Sequence, residues 1–585
     1  MAAYVALRWT GATPDAVMAL RAAAPSDWRI AWEAPDSLVL VRDPSGAPVR
    51  RLPGDRGLVL GDLYRASFQG AVGEEVESLV ISRAAPVEAI AADLLTRFWG
   101  RYVALITEPG GAWSILRDPG GGLEAMTWSR EETQIVASHL PTWLAPELWP
   151  LDLAIDWRAV AAWVRSSAAI GAQAALSGLE AVTPGALLRS DGGVRQVWSP
   201  AGAARAATPR DAHTALRDTV DACVRRLVGD APVLAEISGG LDSAILAASL
   251  AGQVRDQVLE WTNYYVPGRR GDERAYARDV ARHLDIPLTE VLKPDFAVTE
   301  MMLALCADGL RPGFSAKDAA RDADAADRAR TLGAGRIVTG QGGDMAFFAT
   351  PTPLLLIDAL RDRGPAVWTS DYALNVARWC RRSIWTTPGL DWKLDLARQL
   401  RPVAGHPWAE GIEDLPPAKQ VQIATLAHKL TIQIEGLRGR AAEVVHPLLA
   451  QPVMELCLSL PTSRLTAGGR DRGLARQAFA GRLPDSVRLR QSKGELGAYY
   501  GQVAAASLPM LRDYLLDGEL VRAGLLDRAR LEPMLVRDHL IWRGDYSALM
   551  SFAVVEAWVR HWADRLAAAG ASGRVASSQA STRAR

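Results

Sequence analysis

The chain has 585 residues, room for about two to four domains. Basic and acidic residues number 66 each, so the net charge is zero, which excludes a protein whose main work is to grip nucleic acid or an anionic membrane. A hydrophobic content of 49% with 23% charged residues excludes wholesale disorder.

The N-terminus, Met1-Ala2-Ala3-Tyr4, lacks the basic stretch and apolar core of a secretory signal. Residues 1–205 then read as short strands between turns. Strand-like runs stand at 37–41, 57–60, 102–106 and 113–116. Turn signals stand at Pro44-Ser45-Gly46, Pro109-Gly110-Gly111 and Asp118-Pro119-Gly120-Gly121-Gly122. Helical pieces at 86–98 and 155–168 complete an α+β domain dominated by antiparallel sheet. Eleven of the 20 Trp residues precede residue 205, which suits core packing.

The segment 199–210 is rich in small residues and aperiodic, and predicts a linker. Beyond it the texture changes. Helices at about 210–228, 242–251, 273–284 and 318–332 alternate with strands at 233–237, 258–265, 288–292 and 336–339. Such alternation predicts a doubly wound parallel α/β sheet over a domain of 206–568, mostly helical from about 352. The tryptophans at 368, 379, 385, 392 and 408 suit either core or the wall of a pocket. The Ala/Ser/Arg-rich tail 569–585 predicts disorder. No apolar run approaches the ~20 residues of a membrane span. The four cysteines (Cys223, Cys306, Cys380, Cys457) are far apart and form no CxxC or Cys/His cluster, so neither a disulfide framework nor a zinc site is indicated. A soluble, cytoplasmic protein is expected.

The strongest chemical signal is Ser238-Gly239-Gly240-Leu241-Asp242-Ser243, between the strand that ends at Ile237 and the next helix. Two glycines permit a tight turn and close approach of backbone to a ligand. The following helix N-terminus suits a phosphate. Asp242 would repel phosphate unless a Mg²⁺ ion sat between them. The loop is not a Walker A sequence, since no Gly-Lys-Ser/Thr occurs. A second Gly-rich turn, Gly340-Gln341-Gly342-Gly343-Asp344, follows the strand at 336–339. Two acidic residues at the C-terminal ends of parallel strands can share one crevice. Only six of the 66 basic residues are Lys, so Lys493, in Arg488-Leu489-Arg490-Gln491-Ser492-Lys493-Gly494-Glu495, marks a place where Arg would not serve.

These segments together resemble the adenylating asparagine synthetase B-like family. Its members use ATP to form an acyl-adenylate, release pyrophosphate and let an amine attack. The resemblance implies an N-terminal Ntn-hydrolase-like, glutaminase-like domain over 1–205 and an ATP-pyrophosphatase (PP-loop) synthetase domain after it. It implies ATP contacts at Ile237, Ser238, Gly239, Gly240, Leu241, Asp242, Ser243, Gly340, Gln341 and Asp344, a backbone contact to adenine at Tyr264, and Mg²⁺ held by Asp242 and Asp344. Lys493 falls on the family's lysine that stabilises charge on the adenylate. Glu443, in Glu443-Val444-Val445-His446-Pro447, falls on the glutamate that lines the acyl-acceptor pocket.

Two departures narrow the reading. Glutamine-dependent members carry a nucleophilic Cys directly after the initiator Met; here Ala2 stands there and no Cys precedes Cys223. A methyl group cannot attack an amide, so the first domain resembles a glutaminase that has lost its chemistry. The β-lactam synthetases place a Tyr of a Tyr–Glu dyad where this chain has Gln341, and an amide is no general base. The chain resembles most a lasso peptide cyclase, which implies a precursor peptide as substrate, and a leader-peptide protease and a leader-recognition element as partners. A small-molecule amide ligase and a non-catalytic scaffold of a peptide-maturation complex are the alternatives.

Overall fold

The computed structural model describes residues 3–42, 48–66, 84–268, 271–313, 316–387, 391–434, 436–491, 494 and 496–583. The turn expected at Pro44-Ser45-Gly46, and residues Ala2, Ser492, Lys493 and Glu495, lie outside them.

Among the described residues the first third contains twelve strands: β1 (Tyr4–Trp9), β2 (Trp28–Ala34), β3 (Ser37–Arg42), β4 (Val49–Arg51), β5 (Gly57–Arg65), β6 (Phe98–Thr107), β7 (Trp113–Arg117), β8 (Met126–Arg130), β9 (Thr133–Ala137), β10 (Glu180–Ala181), β11 (Ala186–Leu188) and β12 (Val194–Gln196). They form two antiparallel sheets, ordered β10-β8-β9-β1-β3-β2 and β12-β11-β7-β6-β5-β4. Strand alternation decides the layering. Tyr4 and Ala6 of β1, Val39 and Val41 of β3, and Val103 and Leu105 of β6 share one core between the sheets. The other faces carry apolar residues too. Tyr102, Ala104 and Ile106 pack on helix Val87–Arg97. Val5, Leu7 and Leu38 share a core with Trp163 of helix Trp157–Arg165 and with Trp558, Val559 and Trp562 of the last helix, Tyr546–Arg583. A sheet buried on both faces reads as a nearly continuous apolar run, as 102–106 does.

That shared core joins the two halves of the chain, and polar contacts reinforce it. Buried Arg311 donates to Glu124 at 2.6 Å, to the carbonyl of Gln173 at 2.8 Å and to that of Ile170. Arg117 holds the other oxygen of Glu124 at 2.7 Å. The indoles of Trp558 and Trp562 both donate to the carbonyl of Gly309.

Where composition predicts a linker, the chain makes helix Pro200–Ala204. Ser199 caps it, accepting from the Gly202 amide at 3.0 Å, and Pro200 stands in the first turn. Its small residues carry no visible periodicity, yet they let Ala201 lie close against Met454 and Leu458.

The second half contains five parallel strands: β13 (Val233–Glu236), β14 (Val258–Tyr265), β15 (Thr289–Leu292), β16 (Arg336–Val338) and β17 (Glu443–Val445). Their order is β15-β14-β13-β16-β17. Val233, Ala235 and Ile237 face the core shared with helices Ala212–Val228, Leu241–Gln253 and Arg274–Leu284; Leu234 and Ile337 face Ala329 of helix Ala319–Leu332. Helices thus cover both faces, as the alternating pattern predicts. The region after residue 352 is largely helical; Trp408 is core there, while Trp385 is 92% exposed. The last helix carries the backbone through 569–583, the segment whose composition predicts disorder. Among the described residues no helix is long and apolar enough to cross a membrane.

Two buried histidines set an acid limit on this fold. Burial pushes His446 down to about 3 and His406 down to about 4. The unfolded chain, with His near 6.5, then binds protons that the native state refuses. Their stabilisation is complete above about pH 6.5 and is lost as pH falls through the native values. Unfolding free energy should drop by on the order of 2 kcal/mol per histidine by about pH 5. Urea titrations across that window check this, and His446→Gln should flatten the slope.

Candidate active site

In the order of the parallel sheet, successive strands are added to one side of β13 (β14, β15) and then to the other (β16, β17), so the order of connection reverses between β13 and β16. Strands whose connections lead away to opposite sides leave a crevice beyond their C-terminal ends, the usual ligand site of such sheets. Ser238 follows β13 there and Gly340 follows β16. A cavity of about 340 Å³ opens between them, lined by both Gly-rich segments. The residues that the two motifs nominate separately therefore meet in space.

The first loop is braced from within. The Ser243 hydroxyl accepts from the Ser238 amide at 3.1 Å and donates to the Gly240 carbonyl at 3.0 Å; the two serine hydroxyls lie 3.0 Å apart. Both serines thus hold the turn in shape. Ile237 is tied to β14, its amide donating to Thr262 and its carbonyl accepting from the Asn263 side chain. Gly240 precedes a thirteen-residue helix that no side chain caps, and a helix start of this kind suits an anion.

Three glycines are required by contact. Gly239 has φ +82°, and a Cβ there would fall 2.7 Å from the Glu273 carbonyl. A Cβ at Gly340 would fall 2.6 Å from the Ser243 amide nitrogen, and one at Gly343 2.6 Å from Cγ of Asp242. The two loops interlock backbone to backbone and bring Asp242 and Asp344 to one cavity. Two carboxylates, a helix start and close backbone fit a nucleotide's phosphates with Mg²⁺; Asp242 and Asp344 would hold the ion.

A comparison with known sequence families matches asparagine synthase over residues 215–560, more than half of the chain. The chain belongs to the asparagine synthase family. A comparison with curated proteins gave no match. The family is one of ATP-dependent amide ligases, and its match spans all five parallel strands and both Gly-rich loops.

The asparagine synthase site also contains groups that the motifs did not indicate. Arg472 meets Asp242 at 2.8 Å and Asp471 at 2.7 Å. Burial opposes its charge, but Asp242, Asp471 and Asp344 outweigh it and hold the guanidinium firmly protonated. Its backbone is left-handed, φ +51°, and its amide donates at 3.1 Å to Phe348, itself at φ +69°. Each such residue costs about 1 kcal/mol or more, and such strain collects at functional sites. The run Gly468-Gly469-Arg470-Asp471-Arg472-Gly473 is the only sequence signal for it. Arg321 lines the same cavity, set by Asp322 at 2.8 Å and by the neighbouring pair Arg438–Glu236 at 2.6 Å. Glycine suits the left-handed backbone of residue 472. Arg472→Gly relieves that strain but takes a buried cation from Asp242 and Asp471, so the melting temperature should fall, and in the folded variant pyrophosphate exchange should fall about 100-fold.

The remaining candidates are placed as follows. Tyr264 lies on β14, paired with Val291 of β15, its hydroxyl donating to Asp324 at 2.8 Å, and it is not among the residues that line the 340 Å³ cavity. Gln341 lines the 340 Å³ cavity and a neighbouring one of about 240 Å³. Arg488 is held by Asp485. Arg490 lines the cavity and pairs with Glu273 at 2.7 Å; the same Glu273 oxygen accepts from the Gly494 amide at 2.8 Å. Glu273 thus ties Arg490 and Gly494 to the start of helix Arg274–Leu284.

Glu443 stands at the opposite end of the strands from Gly340, level with Arg336. Arg101 of the first sheet layer reaches one of its oxygens at 2.6 Å and Arg336 the other at 3.1 Å. Burial alone would raise its pKa, but the two guanidinium groups outweigh burial and keep it below the usual carboxylate value. A carboxylate so held is a weak proton acceptor and a firm anchor between the layers.

Proposed function

We propose that the protein is an AMP-forming macrolactam synthetase of the lasso peptide cyclase kind, independent of glutamine. It joins a side-chain carboxylate of Asp or Glu in a precursor peptide to the peptide's N-terminal amine. The observation that carries this reading is that Asp242 of the Ser238–Ser243 loop and Asp344 of the second Gly-rich turn line one cavity at the switch-point crevice. The substrate carboxylate oxygen attacks the α-phosphorus, the bond to the bridging oxygen breaks, and pyrophosphate leaves. The amine nitrogen then attacks the activated carbonyl carbon, loses a proton, and AMP departs. Mg²⁺ supplies positive charge to the departing pyrophosphate when bound. The amides of the loop and helix start orient the phosphates. Arg472 and Arg321 stand ready to neutralise charge as it develops. Lys493, which precedes Gly494 in sequence, is assigned the charge on the adenylate.

The first domain, about 1–205, is read as a glutaminase-like scaffold without its nucleophile. Its helix–sheet–sheet–helix layering and Ala2 support this. Gln341 in place of a Tyr base argues against β-lactam closure. A precursor peptide with its leader protease and leader-recognition element are the expected partners.

Exchange of radiolabelled pyrophosphate into ATP tests the reading. Exchange that requires a peptide acid is expected, followed by AMP and a product one water lighter than the peptide. Exchange with aspartate or another small acid alone would replace it with a small-molecule ligase. No exchange with any acid would point to a scaffold.

A further inference from the structure

Three stretches of chain meet where the 240 Å³ cavity adjoins the 340 Å³ cavity: the end of β16, the end of β17, and residues 431–434. Thr339, Gln341 and Ile432 line the larger cavity; Gln341, Ile432 and His446 line the smaller. The Thr339 amide donates to the Val445 carbonyl at 3.1 Å, which carries the pairing of β16 with β17 one step further. His446 thereby comes level with Thr339, and its ring reaches across, with Nδ1 2.7 Å from the Thr339 hydroxyl oxygen. The same oxygen accepts from the Gln341 amide at 3.3 Å. The main chain of Ile432 also hydrogen-bonds the ring, in the sense that favours a bound proton, so a carbonyl accepts from a ring N–H there.

These contacts fix the tautomer. Burial and the nearby Arg438 guanidinium keep the ring neutral, so it has one N–H to give and one nitrogen lone pair to offer. With Nδ1 against Thr339, Nε2–H serves the Ile432 carbonyl, and the Thr339 hydroxyl donates to Nδ1 while its oxygen accepts from Gln341. Both ring nitrogens are engaged, so the imidazole is a bridge rather than a base. The same stretch grips the second Gly-rich turn again. The Leu449 amide donates to the His446 carbonyl at 2.9 Å, and the Leu449 side chain leaves no room for a Cβ at Gly342, φ +92°.

We propose that His446 is a positioning residue for adenylation: through Thr339 and Gln341 it ties the turn that carries Asp344 to the Ile432 wall shared by the two cavities. This rests on the ligase reading above and extends it to a residue that acts through its neighbours.

Thr339→Val keeps the side-chain shape and removes the hydroxyl. Measured at low temperature on variants shown to be folded by circular dichroism, its kcat for pyrophosphate exchange should fall about tenfold with KM for ATP within about twofold, and Thr339→Ser should recover the parent rate. His446→Gln puts an amide near the place of Nε2 but not of Nδ1, and His446→Asn near Nδ1 but not Nε2. Each should match Thr339→Val, and joining Thr339→Val to His446→Gln should cost no more than either alone. Parent-like kcat in Thr339→Val or in His446→Asn would overturn the proposal. So would losses that multiply in the double variant, since two independent packing defects add in free energy. A second measurement does not depend on turnover. With ¹⁵N-labelled histidine, the ring resonances that His446→Gln deletes should report Nε2 protonated and Nδ1 not, and Thr339→Val should move the Nδ1 signal. The opposite tautomer, or an Nδ1 signal indifferent to Thr339→Val, would overturn the hydrogen-bond chain. Absence of exchange in the parent protein would instead overturn the ligase reading, while the ring resonances still decide the chain.

Discussion

Asp242→Asn and Asp344→Asn each lower acid-dependent ATP–pyrophosphate exchange by about three orders of magnitude, with little change in melting temperature. The magnitude follows from placing one less negative charge opposite a divalent cation that meets the leaving pyrophosphate, an interaction of several kcal/mol. Asparagine keeps the volume, so the contact with Gly343, whose Cβ would meet Asp242 at 2.6 Å, is undisturbed. At position 242 a second effect follows. Arg472 loses a charged partner at 2.8 Å, so phosphate affinity falls less than the chemical step. Raised Mg²⁺ should recover part of the rate for both variants. Exchange by either variant within about tenfold of the parent would contradict the assignment of these residues to the pyrophosphate.

The largest effect on stability is expected at the junction of the halves. Arg311→Ala should destabilise by about 3–5 kcal/mol and lower the melting temperature by on the order of 5 °C or more. Arg311 is buried and donates to Glu124 and to the carbonyls of Ile170 and Gln173. Removing it takes a donor from two carbonyls and leaves Glu124 with Arg117 and the Ala125 amide. Because the apolar core containing Trp558 and Trp562 spans the same junction, the halves should still melt together. Calorimetry that showed two separated transitions in the wild type would contradict a shared core.

Four strands of the parallel sheet, the helices between them and the two loops that carry Asp242 and Asp344 were legible in the sequence, whereas β17 (Glu443–Val445) was not. The reason is local: strand alternation, helix length and glycine at a turn are properties of neighbours along the chain. A match over 215–560 agrees with that legibility. The linker at 199–210 was misread because small residues pack closely without leaving a periodic trace, and helix Pro200–Ala204 exists through its contact with Met454 and Leu458.

What only the tertiary structure decided is which distant charges face one another. Arg472 stands 230 positions from Asp242, and Glu273 holds both Arg490 and Gly494 from more than 200 positions away. Glu443 was nominated for work on an amine, yet Arg101 and Arg336, 342 and 107 positions from it, set its charge state and fix it in place. Pairings of that range depend on how the layers stack, because a carboxylate's proton affinity follows from the charges within a few ångströms and from lost solvent, and neither is encoded beside it in the chain.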